Sequence, residues 1–165
     1  MGLKQEAFER LYEEQAQPLY AFLSYRTGDR VLAEDLLADT FERALRARRR
    51  FDPRRASEKT WLYAIALNCL RDHVRRNAAL DRALERTPVR VGDDSYEALE
   101  HIESRDDLGK ALASLSEEER EVVSLRYGAD LTVPEISRLK KEKLTTIEGR
   151  LYRGLRKLRD ELDES

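Results

Sequence analysis

The sequence predicts an all-α protein: two small helical domains joined by a flexible linker, with a helix-turn-helix at the C-terminal end. Three observations predict it. Apolar residues recur at helical spacing over most of the chain. That pattern weakens from about Asn77 to Ser104, where TPVRVGDDS combines Pro, Gly and paired Asp as linkers do. From Leu131 to Leu162, an apolar helix start and a short basic break precede a run with Ile147, Leu151, Leu155, Leu158 and Leu162 at helical spacing. The expected boundaries are 1–76, a linker over 77–104, and 105–165. No strand signal of any length and no internal repeat is present.

The first helix is expected from about Gln5 to Tyr25, with Phe8, Leu11, Tyr12, Leu19, Phe22 and Leu23 as its apolar stripe. Pro18 predicts a kink or local break in it. TGDR (27–30) is a turn. The second helix, about Val31 to Arg48, buries Leu32, Leu36, Leu37, Phe41 and Leu45. RRRFDPRRAS (48–57) is an irregular basic loop, because Asp-Pro breaks helices. Ser57 is placed to cap a third helix, about Glu58 to Arg76, with Trp61, Leu62, Ile65, Ala66, Cys69, Leu70 and Val74 inward. Helicity resumes with Leu108, Leu112 and Leu115. Ser116 and Glu119 form a capping box for a helix from Glu117 to Tyr127, ended by GAD (128–130).

Composition narrows the function classes. The chain has 165 residues, 39% of them charged and 7% aromatic, which suits modest helical cores. A single cysteine, Cys69, excludes an intramolecular disulfide and a multi-cysteine metal cluster. Its apolar surroundings make it a buried structural thiol. His73 and His101 lack metal-ligand spacing, and no glycine loop fits a phosphate, so neither an enzyme nor a cofactor is expected. MGLKQEAFERLYEEQ has no apolar core of signal-peptide length, and no run approaches a membrane span. The expected location is the cytoplasm, without membrane insertion.

Charge is segregated along the chain. Residues 1–42 hold nine acids and four bases, residues 43–55 seven Arg against Asp52, and residues 80–107 again nine acids and four bases. Basic islands between acidic segments suit a protein that meets both DNA and a basic protein partner. From Arg138 to Arg159 there are nine Lys or Arg and two Glu, a surplus that phosphates attract. Two readings of this stretch stand at this point. One is a DNA-binding helix-turn-helix whose second helix enters the major groove. The other is a plain antiparallel helix pair with a solvated basic face.

AEDLLADTFERAL (33–45), FDPRRASEKTWLYAIALNCLRDHVRR (51–76) and LASLSEEEREVVSLRYGADLTVPEIS (112–137) resemble an extracytoplasmic-function sigma factor of bacterial RNA polymerase. The three blocks occur in the right order over nearly the whole chain. The resemblance implies a promoter-specificity subunit that binds core RNA polymerase and promoter DNA, with an anti-sigma factor as a further partner. Its N-terminal domain would bind the polymerase clamp and open the minus-ten element. Its C-terminal domain would read the minus-thirty-five element. A helical adaptor that reads that element weakly or not at all is the alternative.

Candidate sites follow residue by residue. Asp35, Asp39 and Glu42 share one helix face and form an acidic ridge. The resemblance assigns that segment, with Leu36 and Phe41, to core polymerase. Arg54, Arg55, Arg71, Arg75 and Arg76 can track a phosphate backbone. By family position Asn68 is the candidate for a base edge, with Asp72 beside it in the minus-ten segment. Trp61 is in phase with Ile65 and Cys69, which favours a core role over a stacking wedge. Lys143, Thr145, Thr146, Glu148, Arg150 and Arg153 would face the minus-thirty-five element.

The C-terminal motif departs from the family pattern. Leu131, Glu135, Ile136, Thr146, Ile147, Arg150 and Leu151 match without a gap. Lys141 replaces the turn glycine, Lys140 and Glu142 replace two apolar residues, and Glu148-Gly149 replaces a Lys-Ser pair. A more polar turn is expected, with Leu139 and Leu144 supplying lost apolar contacts. Glu148 is expected to accept from a cytosine or to pair with Lys141, Lys143 or Arg150.

Overall fold

The computed structural model describes residues 2–84 and 106–164, and most of the expected linker lies outside the described residues. Regular structure among the described residues is helical throughout. The N-terminal unit holds α1 (Gln5–Thr27), α2 (Arg30–Ala47) and α3 (Glu58–Leu84), with a 3₁₀ turn at Arg48–Arg50. The C-terminal unit holds α4 (Asp106–Ala113), α5 (Glu117–Val123), a π turn (Ser124–Gly128), α6 (Val133–Lys140) and α7 (Leu144–Asp163). No described helix is long and apolar enough to cross a membrane.

Pro18 does not break α1. Leu19, Phe22 and Leu23 beyond it are 0%, 1% and 0% exposed. Burying each is worth roughly 1.5–3 kcal/mol, which offsets the roughly 3 kcal/mol that proline costs inside a helix. Gly28 ends α1 in the left-handed conformation, and Asp29 caps α2 by accepting from the amides of Val31 and Leu32. Ser57 caps α3 as expected, accepting from the Thr60 amide at 3.1 Å.

Helix α3 runs to Leu84, well past the expected end at Arg76. Side chains 74–83 are all exposed, so these turns have no core face and show no apolar periodicity. Ala, Leu and Arg carry them by propensity alone. Val74 therefore points to solvent, as do Leu45 and Leu144, all expected inside. Tyr12 is also half exposed, with its ring edge-on to Phe41 at 4.8 Å. Cys69 is buried as expected, and burial pushes its thiol up. Trp61 packs partly buried on the core, edge-on to Phe51 at 5.3 Å.

The Ser116–Glu119 capping box forms, and Lys157 of α7 reaches both Glu119 oxygens at 2.9 and 3.1 Å. The helix expected to Tyr127 instead widens after Val123 into the π turn, where the Ala129 amide donates to the Ser124 carbonyl. The extra residue in that turn lets Leu125, Ala129 and Leu131 all face the core. Helices α5 and α7 cross tightly at Gly154, where an added Cβ would sit 2.8 Å from a Val123 methyl.

The two units share one core. Helix α1 packs on the π turn and α3 on α6. Phe22, Leu62 and Tyr63 are continuous with Val122, Leu125, Ile136 and Ile147. Thr60 Oγ1 donates to Glu135 Oε2 at 3.1 Å, and Lys59 Nζ to the Asp130 carbonyl at 3.4 Å. The Gly154 crossing gives a direct check. Gly154→Val should destabilise the protein by about 1–3 kcal/mol through overpacking, read as a lower denaturant midpoint with an unchanged slope.

Candidate nucleic-acid interface

The acidic ridge is only partly free. Asp35 and Glu42 are exposed, but Glu42 accepts from Arg46 at 2.6 Å. Asp39 pairs with Arg43 at 3.2 Å, and Arg43 also donates to Asp72 of α3 at 2.9 Å. That hydrogen bond from Arg43 holds the Asp72 carboxyl below its ordinary range. Asp72 therefore braces α3 against α2 rather than standing free for DNA. Leu36 and Phe41 are buried, with Phe41 packed edge-on against Phe8. They support the ridge from beneath and offer no surface of their own.

Helix α3 carries the basic face. Asn68, Arg71 and Arg75 lie at helical spacing on one side, with Arg76 beside them, and all four are exposed. Arg55 is exposed in the loop that leads into α3, whereas Arg54 is tied to Asp52 at 3.2 Å. A polar side chain flanked by cations suits a base edge held beside a phosphate backbone.

The helix-turn-helix is built by α6 and α7. Thr132 and Glu135 form a second capping box, which the sequence reading missed although the spacing matches that of Ser116 and Glu119. Lys141 takes the left-handed conformation at φ 55°, the position where the family pattern has glycine. Its amide donates to the Arg138 carbonyl and that of Glu142 to the Ser137 carbonyl, closing the end of α6. Lys143, Thr145, Glu148 and Arg153 are exposed on α7, and Thr146 is half-buried. Among the described residues Glu148 makes no ion pair, so none of its expected basic partners restrains it.

Arg150 is not on that face. Its side chain is 13% exposed, held by Glu142 and, at 3.2 Å, by Glu118. The two charged replacements in the turn explain this. Lys140 occupies the inward position one turn after Ile136 and pairs with Glu121 of α5 and with Glu142 at 3.7 Å. Glu142 in turn draws Arg150 inward. Leu139 packs partly on the core as expected, whereas Leu144 does not. Ions replace apolar contacts in this turn. Burial lowers the Lys140 ammonium's proton affinity against the pull of Glu142, and Arg71 and Arg26 add repulsion.

Comparison with known proteins decides the family. The descriptions "Sigma-70 region 2" and "Sigma-70, region 4" match residues 5–80 and 105–158. The RNA polymerase sigma factor CarQ of Myxococcus xanthus is 34% identical, with 97% of this chain and 91% of CarQ covered. The chain is an extracytoplasmic-function sigma factor of the sigma-70 family. Such proteins are initiation factors rather than enzymes, and this one directs transcription initiation at alternative promoters. The ECF RNA polymerase sigma factor BldN of Streptomyces coelicolor is 32% identical over 93% of this chain, which spans 59% of BldN's length. The fold matches the sigma factor RpoE of Bartonella quintana, solved in complex with the anti-sigma factor NepR. That match has a TM-score of 0.78 at 21% identity and covers 96% of this chain and 98% of that one. Region 2 corresponds to α1–α3 and region 4 to α4–α7, so the acidic ridge and basic face fall in the first and the helix-turn-helix in the second.

The strained turn makes a prediction. Lys141→Gly should stabilise region 4 by about 1 kcal/mol, because an L side chain at positive φ costs about that much. A thermal scan should show a higher midpoint. An equal or lower midpoint would show that the Lys141 side chain makes a compensating contact.

Proposed function

We propose that this sigma factor docks on core RNA polymerase through the exposed acids of α2, with Asp35 at the centre. Asn68 reads a base of the minus-ten element, while Arg55, Arg71, Arg75 and Arg76 hold the backbone beside it. In region 4, Lys143, Thr145, Glu148 and Arg153 form the surface offered to the minus-thirty-five element. The protein works in the cytoplasm, and an anti-sigma protein binds it; the Bartonella RpoE is solved in complex with the anti-sigma factor NepR. The observation that carries this reading is the exposed Asn68 beside Arg71, Arg75 and Arg76 on α3, with Asp72 engaged by Arg43.

Asn68→Ala and Arg75→Ala separate reading from holding. Loss of one base-edge contact costs about 1–3 kcal/mol and depends on the base at one position. Loss of one phosphate contact weakens many sequences alike and reduces the salt dependence of binding by about one charge. Open-complex assays on a promoter and its single-base variants should show the first pattern for Asn68→Ala and the second for Arg75→Ala. Identical, sequence-independent losses would reduce Asn68 to a structural residue.

With Arg150 withdrawn and Glu148 exposed, region 4 offers few cations and one acid to the groove. An acid opposes phosphates and guanine acceptors but accepts from cytosine N4. This favours an atypical minus-thirty-five sequence, bound weakly. Glu148→Lys combined with Gly149→Ser should raise general DNA affinity and change the sequence selected from random duplexes. Gly149 has room for the change, since only the flexible Arg153 guanidinium lies near its missing Cβ. Unchanged affinity and unchanged selection would mean that α7 does not meet the bases.

A further inference from the structure

We propose that Glu142 and Glu118 set the strength of minus-thirty-five binding from outside the reading face, by holding the Arg150 guanidinium in place of a DNA phosphate. The proposal rests on the reading of α7 as the minus-thirty-five surface and adds the residues that govern it. Two nitrogens of Arg150 are taken by carboxylates from two other segments. Nη1 donates to Glu142 of the turn, and Nη2 lies 3.2 Å from Glu118 of α5. A guanidinium fork fits a carboxylate and a phosphate alike, so these acids occupy the donors that a phosphate would take.

Glu142 is built to compete. Its amide donates to the Ser137 carbonyl at 3.1 Å, and its own carbonyl accepts from Ser137 Oγ at 2.6 Å. Its carboxylate is steadied on the other side by Lys140, 3.7 Å from Oε1, and Lys140 is anchored on Glu121. Backbone and side chain are both fixed, and an acceptor fixed in advance loses little freedom when it binds. Glu118 adds a looser hold, with its side chain 69% exposed. All of these groups belong to the C-terminal unit, so the hold does not depend on how the two units pack.

The local charge balance shows why one arginine matters. From Lys143 to Arg150 the charged side chains are Lys143, Glu148 and Arg150. Lys143 and Glu148 are both exposed, and their charges cancel. Arg150 therefore decides whether the first two turns of α7 attract phosphates. It flanks the buried stripe formed by Ile147 and Gly154, so its guanidinium can leave the carboxylates without opening the core. The two acids thus set affinity, while Lys143, Thr145 and Glu148 are left to set sequence preference.

The test is a double-mutant cycle in holoenzyme assembled with core polymerase, read as binding to a labelled fragment of a promoter mapped with that holoenzyme. Glu118→Gln/Glu142→Gln should raise affinity about threefold or more, as one added phosphate contact does. Arg150→Ala should cost at least about threefold more in that released background than in wild type, and should lower the slope of log affinity against log salt there by about 0.9. The gain should vanish on a fragment that ends downstream of the minus-thirty-five element. Glu118→Gln alone, at an exposed position, should give part of the gain and decides the matter if Glu142→Gln loses helical content. Equal costs of Arg150→Ala in both backgrounds, or a gain that survives on the shortened fragment, overturn the proposal. Lys143→Ala then locates the fault. A loss of affinity keeps α7 on the DNA and sinks only the role of the two acids, whereas no loss sinks the minus-thirty-five reading as well.

Discussion

Lys140 is the constraint on which the rest of the C-terminal unit depends. An ammonium at the inward position of a short helix must find carboxylates or unfold its surroundings. It finds Glu121 and Glu142, and Glu142 then fixes Arg150. Four charged residues thereby occupy the space that apolar contacts would fill. The consequences run outward: α7 loses an arginine from its exposed face, and Glu121 is set against Arg26 of the other unit.

The same economy holds across the molecule. With 39% of its residues charged, the chain has little apolar material per unit, and the cores of regions 2 and 4 meet in one cluster. Charges that brace helices in pairs, such as Arg43 between Asp39 and Asp72, stay partly exposed but are engaged with each other. What remains exposed is sorted by sign: acids on α2, cations with Asn68 on α3, a mixed face on α7. That sorting, rather than the total charge of −2, matches a protein with one basic protein partner and one nucleic-acid partner.

Much of this was legible in the sequence wherever a local rule governs. The turn at Gly28 and Asp29, the caps at Ser57 and Ser116, and the burial of Phe22, Leu62 and Ile147 all follow from spacing and turn chemistry. The far end of α3 was not legible, because a fully exposed helix leaves no apolar stripe. The π turn was not, because one inserted residue shifts the phase without changing composition. The ion network was hidden for a different reason. Lys140, Glu121 and Arg26 are distant in sequence, and each alone reads as surface. The one available signal was position, since Lys140 falls one turn after the buried Ile136. Arg150 and Asp72 were misplaced by the same blindness to partners on other helices.

Promoter-directed initiation is the activity on which the role of every exposed face depends. The measurement that tests it most directly is reconstituted transcription with purified core polymerase on fragmented genomic DNA, with mapping of the transcript starts. Discrete starts that appear only when the protein is present and share a sequence at the minus-ten position are the expected result. Starts that are absent, or identical with and without the protein, would contradict it.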